Sequence, residues 1–93
     1  MLFVAARDNQ TERVQELIVG GADVNQARTD DGTTPLFMAA GYGHTEVVQL
    51  LLTGGANVNQ AKTDDGATPL SVAAESGHTQ VVQLLMANGA GAS

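Results

Sequence analysis

The sequence predicts an all-α solenoid of three stacked helix-turn-helix units joined by two β-hairpin-like loops. Three observations lead there. The first is a repeat. Thr29-Asp30-Asp31-Gly32 returns as Thr63-Asp64-Asp65-Gly66, Thr34-Pro35-Leu36 as Thr68-Pro69-Leu70, and Gly43-His44-Thr45 as Gly77-His78-Thr79. Gly20-Gly21-Ala22 matches Gly54-Gly55-Ala56 and then Asn88-Gly89-Ala90, and Ala5-Ala6, Ala39-Ala40 and Ala73-Ala74 keep the same step. Every offset is about 34 residues, within the range of solenoid repeats. The second is that each copy reads as helix, turn, helix and loop. The third is composition. The 93 residues are 43% hydrophobic and 15% charged, which is globular, but aromatics are only 3%, namely Phe3, Phe37 and Tyr42. A chain this short buries only about 60–65% of its unfolded surface. Thin elements rich in Ala, Val and Leu suit such a core.

The elements follow in order. The first unit opens directly on an apolar helix, Leu2-Phe3-Val4-Ala5-Ala6, with no hairpin and no Thr-Pro start. In the second unit Thr34 is placed to accept from the free N–H groups of a helix start, and Pro35 suits the first helical position, where a missing N–H costs nothing. Leu36, Ala39 and Ala40 recur at helical spacing, and Gly41 and Gly43 are expected to end the helix. Thr45 is the expected N-cap of the next helix. Val47, Val48, Leu50, Leu51 and Leu52 are apolar around most of its circumference, as a helix held between neighbours should be. Gly54-Gly55 supplies the stop. Asn57 to Gly66 is polar and fits an extended loop with a glycine turn. The third unit repeats this with Thr68, Pro69 and Leu70, then Val81, Val82, Leu84, Leu85 and Met86. One domain, residues 1–93, is expected, with units near 1–28, 29–62 and 63–93. Three helix pairs stand near the minimum of about three repeats for stability.

Charge narrows the function. Lys and Arg total 4 against 10 Asp and Glu, for a net charge of -6. Nucleic acid and anionic membrane surfaces both select basic proteins, so neither is an expected partner. The absence of cysteine removes disulfides, thiolate zinc sites and a cysteine nucleophile. The N-terminal apolar stretch is too short for a signal h-region, and no segment approaches the roughly 20 apolar residues of a membrane span. A soluble, cytoplasmic protein is expected.

The repeated residues resemble the ankyrin repeat family. Its T-P-L-H-x-A motif stands here as Thr34-Pro35-Leu36-Phe37-Met38-Ala39 and Thr68-Pro69-Leu70-Ser71-Val72-Ala73. Its Gly-His pair stands as Gly43-His44 and Gly77-His78, its Val-Val-x-Leu-Leu-Leu helix at Val47 to Leu52, and its Gly-Ala-x-Val-Asn run at Gly21 to Asn25 and Gly55 to Asn59. Two departures stand out. The period of about 34 exceeds the family's usual 33, with the extra residue near Gln26-Ala27 and Gln60-Ala61. The motif histidine is replaced by Phe37 and Ser71.

The residues that could carry chemistry have simpler readings. His44 and His78 sit on helix layers about 8–10 Å apart, too far for one zinc at about 2 Å. A turn histidine bonded to neighbouring backbone explains both. Asp30-Asp31 and Asp64-Asp65 precede glycine as turn residues do, and the alternating acids of a calcium loop are absent. Ser71 has no His–acid partners, and no phosphate-binding glycine pattern occurs. No catalytic residue, cofactor or metal is expected.

Phe37 and Tyr42 differ in kind. Phe37 matches Phe3 and Ser71, and Tyr42 matches Asp8 and Ser76. A position that changes character between similar repeats is not fixed by shared packing. The resemblance implies a protein-binding module whose concave face carries Arg7, Asp8, Arg28, Asp30, Asp31, Thr33, Gly41, Tyr42, Lys62, Asp64, Asp65, Ala67, Glu75 and Ser76. Tyr42 stands at its centre, and aromatic side chains are favoured anchors. The acidic bias points to a protein partner with a basic patch. Apolar ends of the stack imply weak self-association. The rival reading is structural: a segment of a longer array, or an artificial mini-repeat protein, with no partner of its own.

Overall fold

The computed structural model describes residues 2–91. Six helices are formed among them: α1 (Leu2–Arg7), α2 (Thr11–Val19), α3 (Pro35–Tyr42), α4 (Thr45–Thr53), α5 (Pro69–Glu75) and α6 (Thr79–Ala87). They make three helix pairs. The first helices, α1, α3 and α5, stack in one row, and α2, α4 and α6 stack in a second. The solenoid measures 30 × 28 × 23 Å.

Local chemistry starts and stops these helices. The Thr34 hydroxyl accepts from the Phe37 N–H at 3.1 Å, with Pro35 in the first turn. Thr68 accepts from the Ser71 N–H at 3.1 Å, and the Ser71 hydroxyl accepts in return from the Thr68 N–H at 2.9 Å. That is a capping box with serine in the place usually held by Glu or Gln. Two expectations need correction. Thr45 is the first residue of α4, and the N-cap is His44, whose side chain makes no capping bond because it reaches into the preceding helix pair. Gly41 does not end α3 but lies inside it, and the stop falls on Gly43 at φ +74°. The second helices end in Schellman motifs. In α4 the Gly55 N–H donates to Leu52 O and the Ala56 N–H to Leu51 O, and α2 and α6 close the same way.

The core lies between the two rows. Ala5, Ala6, Ala39, Ala40 and Ala73 are almost wholly buried, and their small side chains let the first helices approach closely. Val14, Val47, Val48, Leu51, Val81 and Leu85 fill the space behind them. In α4 Glu46, Gln49 and Thr53 are exposed, opposite buried Val47, Val48 and Leu51.

No β-strand is formed among the described residues. Each connecting loop is a turn closed by two backbone bonds. The Arg28 N–H donates to Thr33 O and the Gly32 N–H to Arg28 O, both at 2.9 Å. The Lys62 N–H donates to Ala67 O at 2.8 Å and the Gly66 N–H to Lys62 O at 3.1 Å. The loops are also tied to each other, because the Thr63 N–H donates to Asp31 O at 2.9 Å. A Cβ on Gly32 would lie 2.7 Å from that Thr63 nitrogen, so glycine permits the contact.

Candidate partner-binding face

Stacking puts equivalent positions in lines. Arg7, Gly41 and Glu75 follow one another at the ends of α1, α3 and α5, with Asp8, Tyr42 and Ser76 beside them. Arg7 grips Asp8 through two bonds, Nε–Oδ1 at 2.9 Å and Nη2–Oδ2 at 3.2 Å. The hydrogen-bonded guanidinium holds the Asp8 carboxyl below the usual carboxylate range and raises Arg7 above its own. Tyr42 is 55% exposed, and its ring meets His44 edge to face at 5.7 Å. His44 is fixed in turn, since its Nε2–H donates to Arg7 O at 2.8 Å. His78 repeats the bond to Gly41 O at 3.1 Å. Both histidines are therefore ties between successive helix pairs.

The loop residues form a second line. Arg28 lies 5.4 Å from the Phe3 ring centroid and pairs with Asp30 at 2.8 Å. One repeat on, Lys62 lies 5.4 Å from the Phe37 ring and 3.6 Å from Asp64. Each cation thus sits against an aromatic ring and pairs with a carboxylate. Asp31 and Asp65 do different work. Asp31 Oδ1 accepts from the Thr33 hydroxyl at 2.7 Å and the Thr33 N–H at 3.0 Å. Asp65 accepts from the Ala67 N–H at 3.0 Å. These bonds hold both carboxyls below the usual range.

The structure therefore sorts the expected residues. Asp8, Arg28, Asp30, Tyr42, Asp64, Asp65, Glu75 and Ser76 are exposed, and Arg7, Asp31, Gly41, Lys62 and Ala67 are half-buried. Thr33 is the correction: it is only 3% exposed, and its hydroxyl is turned onto Asp31. Ser71 belongs to a helix cap. Among the described residues no three His, Cys, Asp or Glu side chains stand together as a metal site. None of the described helices is long and apolar enough to cross a membrane.

Two features escaped the sequence reading. One is the Phe–cation pairing, whose only trace is that Phe3 and Arg28 recur together as Phe37 and Lys62. The other is an asparagine ladder. Asn25 Nδ2 donates to Gly55 O at 3.3 Å while its Oδ1 accepts from the Asn57 N–H at 2.6 Å. Asn59 does the same to Gly89 O and the Gly91 N–H. The recurrence of Asn25 as Asn59 was its signal.

A family model for ankyrin repeats, in three copies, matches residues 2–93. The chain belongs to the ankyrin repeat family. A search of curated proteins finds no match. Ankyrin repeats generally serve as protein–protein interaction modules, and members of the family are typically not enzymes.

Proposed function

We propose that this ankyrin stack is a cytoplasmic protein-binding module and that its partner docks on the face of loop tips and first-helix ends. The carrying observation is Tyr42, a large aromatic left 55% exposed in the middle of the stack, while beside it Arg7 pairs with Asp8 and His44 bonds to Arg7 O. Around it stand Arg7, Asp8, Arg28, Asp30, Asp31, Gly41, Lys62, Asp64, Asp65, Ala67, Glu75 and Ser76, whose charges sum to an acidic surface. A basic partner would be steered to it, with charge acting mainly on association rate. The absence of cysteine fits a reducing compartment.

The near-identity of the second and third units supports a second reading, a segment of a longer array or an artificial mini-repeat protein without a partner of its own. Affinity capture from the source organism, repeated with variants, separates the two. Tyr42→Ala should change stability by less than about 1 kcal/mol and weaken binding by about 2 kcal/mol or more. Asp30→Lys with Asp64→Lys should slow association and reduce its salt dependence, and the loss of one exposed and one partly exposed ion pair should cost the fold little. Val48→Asp buries a charge in α4 and should unfold the stack. Capture unaffected by Tyr42→Ala and the Asp reversals, yet abolished by Val48→Asp, would move the docking face elsewhere.

A further inference from the structure

The glycine pairs that stop α2 and α4, Gly20-Gly21 and Gly54-Gly55, become Asn88-Gly89 after α6. Asn88 is the only asparagine of the chain followed by glycine. Asn9, Asn25, Asn57 and Asn59 precede Gln10, Gln26, Val58 and Gln60. Asn88 is exposed and caps α6 at φ -102° and ψ 15°. Its Nδ2 donates to Leu84 O at 2.9 Å. The Gly89 N–H donates to Met86 O at 3.1 Å, and the Ala90 N–H to Leu85 O at 2.9 Å. Gly89 holds φ +95°, and nothing stands within 4 Å of where its Cβ would be. The same turn is where the second loop grips the last pair. Asn59 Nδ2 donates to Gly89 O at 3.4 Å, and Asn59 Oδ1 accepts from the Gly91 N–H at 3.2 Å.

We infer that Asn88 is a site of spontaneous deamidation and that the change loosens the last helix pair from the stack. Asparagine is among the heat-labile residues. The nucleophile is the next backbone nitrogen, which a following side chain would shield and glycine leaves open. The Gly89 nitrogen loses its proton to hydroxide and bonds to Asn88 Cγ. The Cγ–Nδ2 bond breaks, and ammonia leaves with a proton taken from water. Water then opens the cyclic imide. Attack at the side-chain carbonyl gives aspartate, and attack at the backbone carbonyl gives isoaspartate, with an extra methylene in the main chain. The net change is one water in and one ammonia out. In the closed turn both reacting groups are hydrogen-bonded, so the reaction runs through openings of the turn, and helix ends open at the lowest free energies of a fold. Asn25 and Asn59 differ twice over, since their amides are bonded to the next unit and the residues after them carry side chains. Either product replaces the donor to Leu84 O by a carboxylate, at a helix end that already bears partial negative charge. Isoaspartate also lengthens the main chain inside the turn that Asn59 holds.

The test is to hold the full chain in neutral and in mildly alkaline buffer, with and without urea, and to map the products by mass after trypsin. Cleavage after Lys62 releases residues 63–93, which contain Asn88. The mass gain of an amide exchanged for an acid is expected at Asn88 before any other asparagine, in two separable forms. It should build up faster in alkali, and faster again in urea, where the turn is open. Asn88→Gln keeps an amide but disfavours the ring, and should stay intact. Asn88→Asp stands for the product. Its amide hydrogens in the last turn of α6 should exchange about twofold faster or more than those of the wild type, with α2 unchanged. An Asn88 that keeps its amide throughout, whether or not another asparagine converts, would overturn the site. Equal rates in buffer and in urea would overturn the control by the turn. Equal exchange in Asn88→Asp and the wild type would overturn the loosening.

Discussion

Thr34 and Thr68 occupy equivalent places and cap equivalent helices, but their surroundings differ. Thr34 is 2% exposed and makes a single capping bond, whereas Thr68 is half-buried and shares its cap with Ser71. Replacing either by alanine should cost about 0.5–2 kcal/mol. Thr34→Ala should stand at the upper end, because water cannot reach the Phe37 N–H that it frees. Urea denaturation of the two variants measures this, and an unchanged midpoint in both would contradict the caps. Asp31 and Asp65 add a dependence on pH. Their folded pKa values lie below the ordinary 3.8, so the stability they contribute is full above the unfolded value. It is lost as pH falls through the folded values, which places the loss below about pH 4. Asp31→Asn should therefore lower the stability at neutral pH and flatten its decline in acid. The midpoint followed from neutral pH downward is the measurement, and an unaltered acid limb would count against the turn bonds.

At the scale of helices and loops, the junction after each first helix does two jobs. Gly43 takes φ +74°, and a Cβ there would fall 2.7 Å from His78 Nδ1. Gly43→Ala should thus strain the backbone and displace the histidine that ties α5 and α6 to Gly41 O, costing about 1–3 kcal/mol. The equivalent residue of the first unit is Asn9, which holds φ 57° with a side chain. Asn9→Gly should relieve that and stabilise the chain by up to about 1 kcal/mol, since glycine meets no Cβ penalty in this region. Thermal unfolding of the pair would show shifts of opposite sign. Much of this level was legible in the sequence, because Thr-Pro, Gly-Gly and the fixed offset act locally. The Thr45 cap was misread because a threonine before an apolar run looks alike at the N-cap and at the first helical position. What separates them is the His44 side chain, committed to a carbonyl 37 residues back in the chain. The loops were harder for the same reason. Nothing local in Asp31 or Thr63 announces the backbone bond between them, and a buried Thr33 is indistinguishable from an exposed one until Asp31 folds over it. The candidate face was placed by resemblance, while the cation–aromatic pairs that give it chemistry depend on contacts between distant segments.

The whole molecule is governed by its stacking, and so by what the stack leaves open. Ala6 and Ala40 are wholly buried, because another helix pair covers each; Ala74, the same position in the last pair, is exposed. Leu2, Val4, Leu17 and Ala22 of the first pair, with Asp23, Arg28 and Asp30 of the loop that follows and Pro35 of α3, line an open cavity of about 730 Å³. Val4 is equivalent to Val72, which packs onto Gly41 of the pair before it. The first end therefore carries one half of a contact that the chain already makes internally, while the last pair carries Glu75 where Gly41 stands and leaves Ala74 as its open apolar position. A contact between the two ends would be heterologous and would not close, so self-association is expected to add copies end to end rather than give a defined dimer. Opposing it is a net charge of -6 on every copy. Salt screens that repulsion more than it affects apolar burial. Self-association should accordingly rise with protein concentration and also with salt, the reverse of what a charge-driven contact would do. Ala74→Glu places a carboxylate on the exposed surface of α5 without crowding the interior, and it should restore a monomer of unchanged helicity. Sedimentation velocity over a wide range of concentration and salt checks both. A wild-type chain that stays monomeric at high concentration and high salt would show that its open ends are not apolar enough to meet, and that three pairs suffice without a fourth surface to cover them.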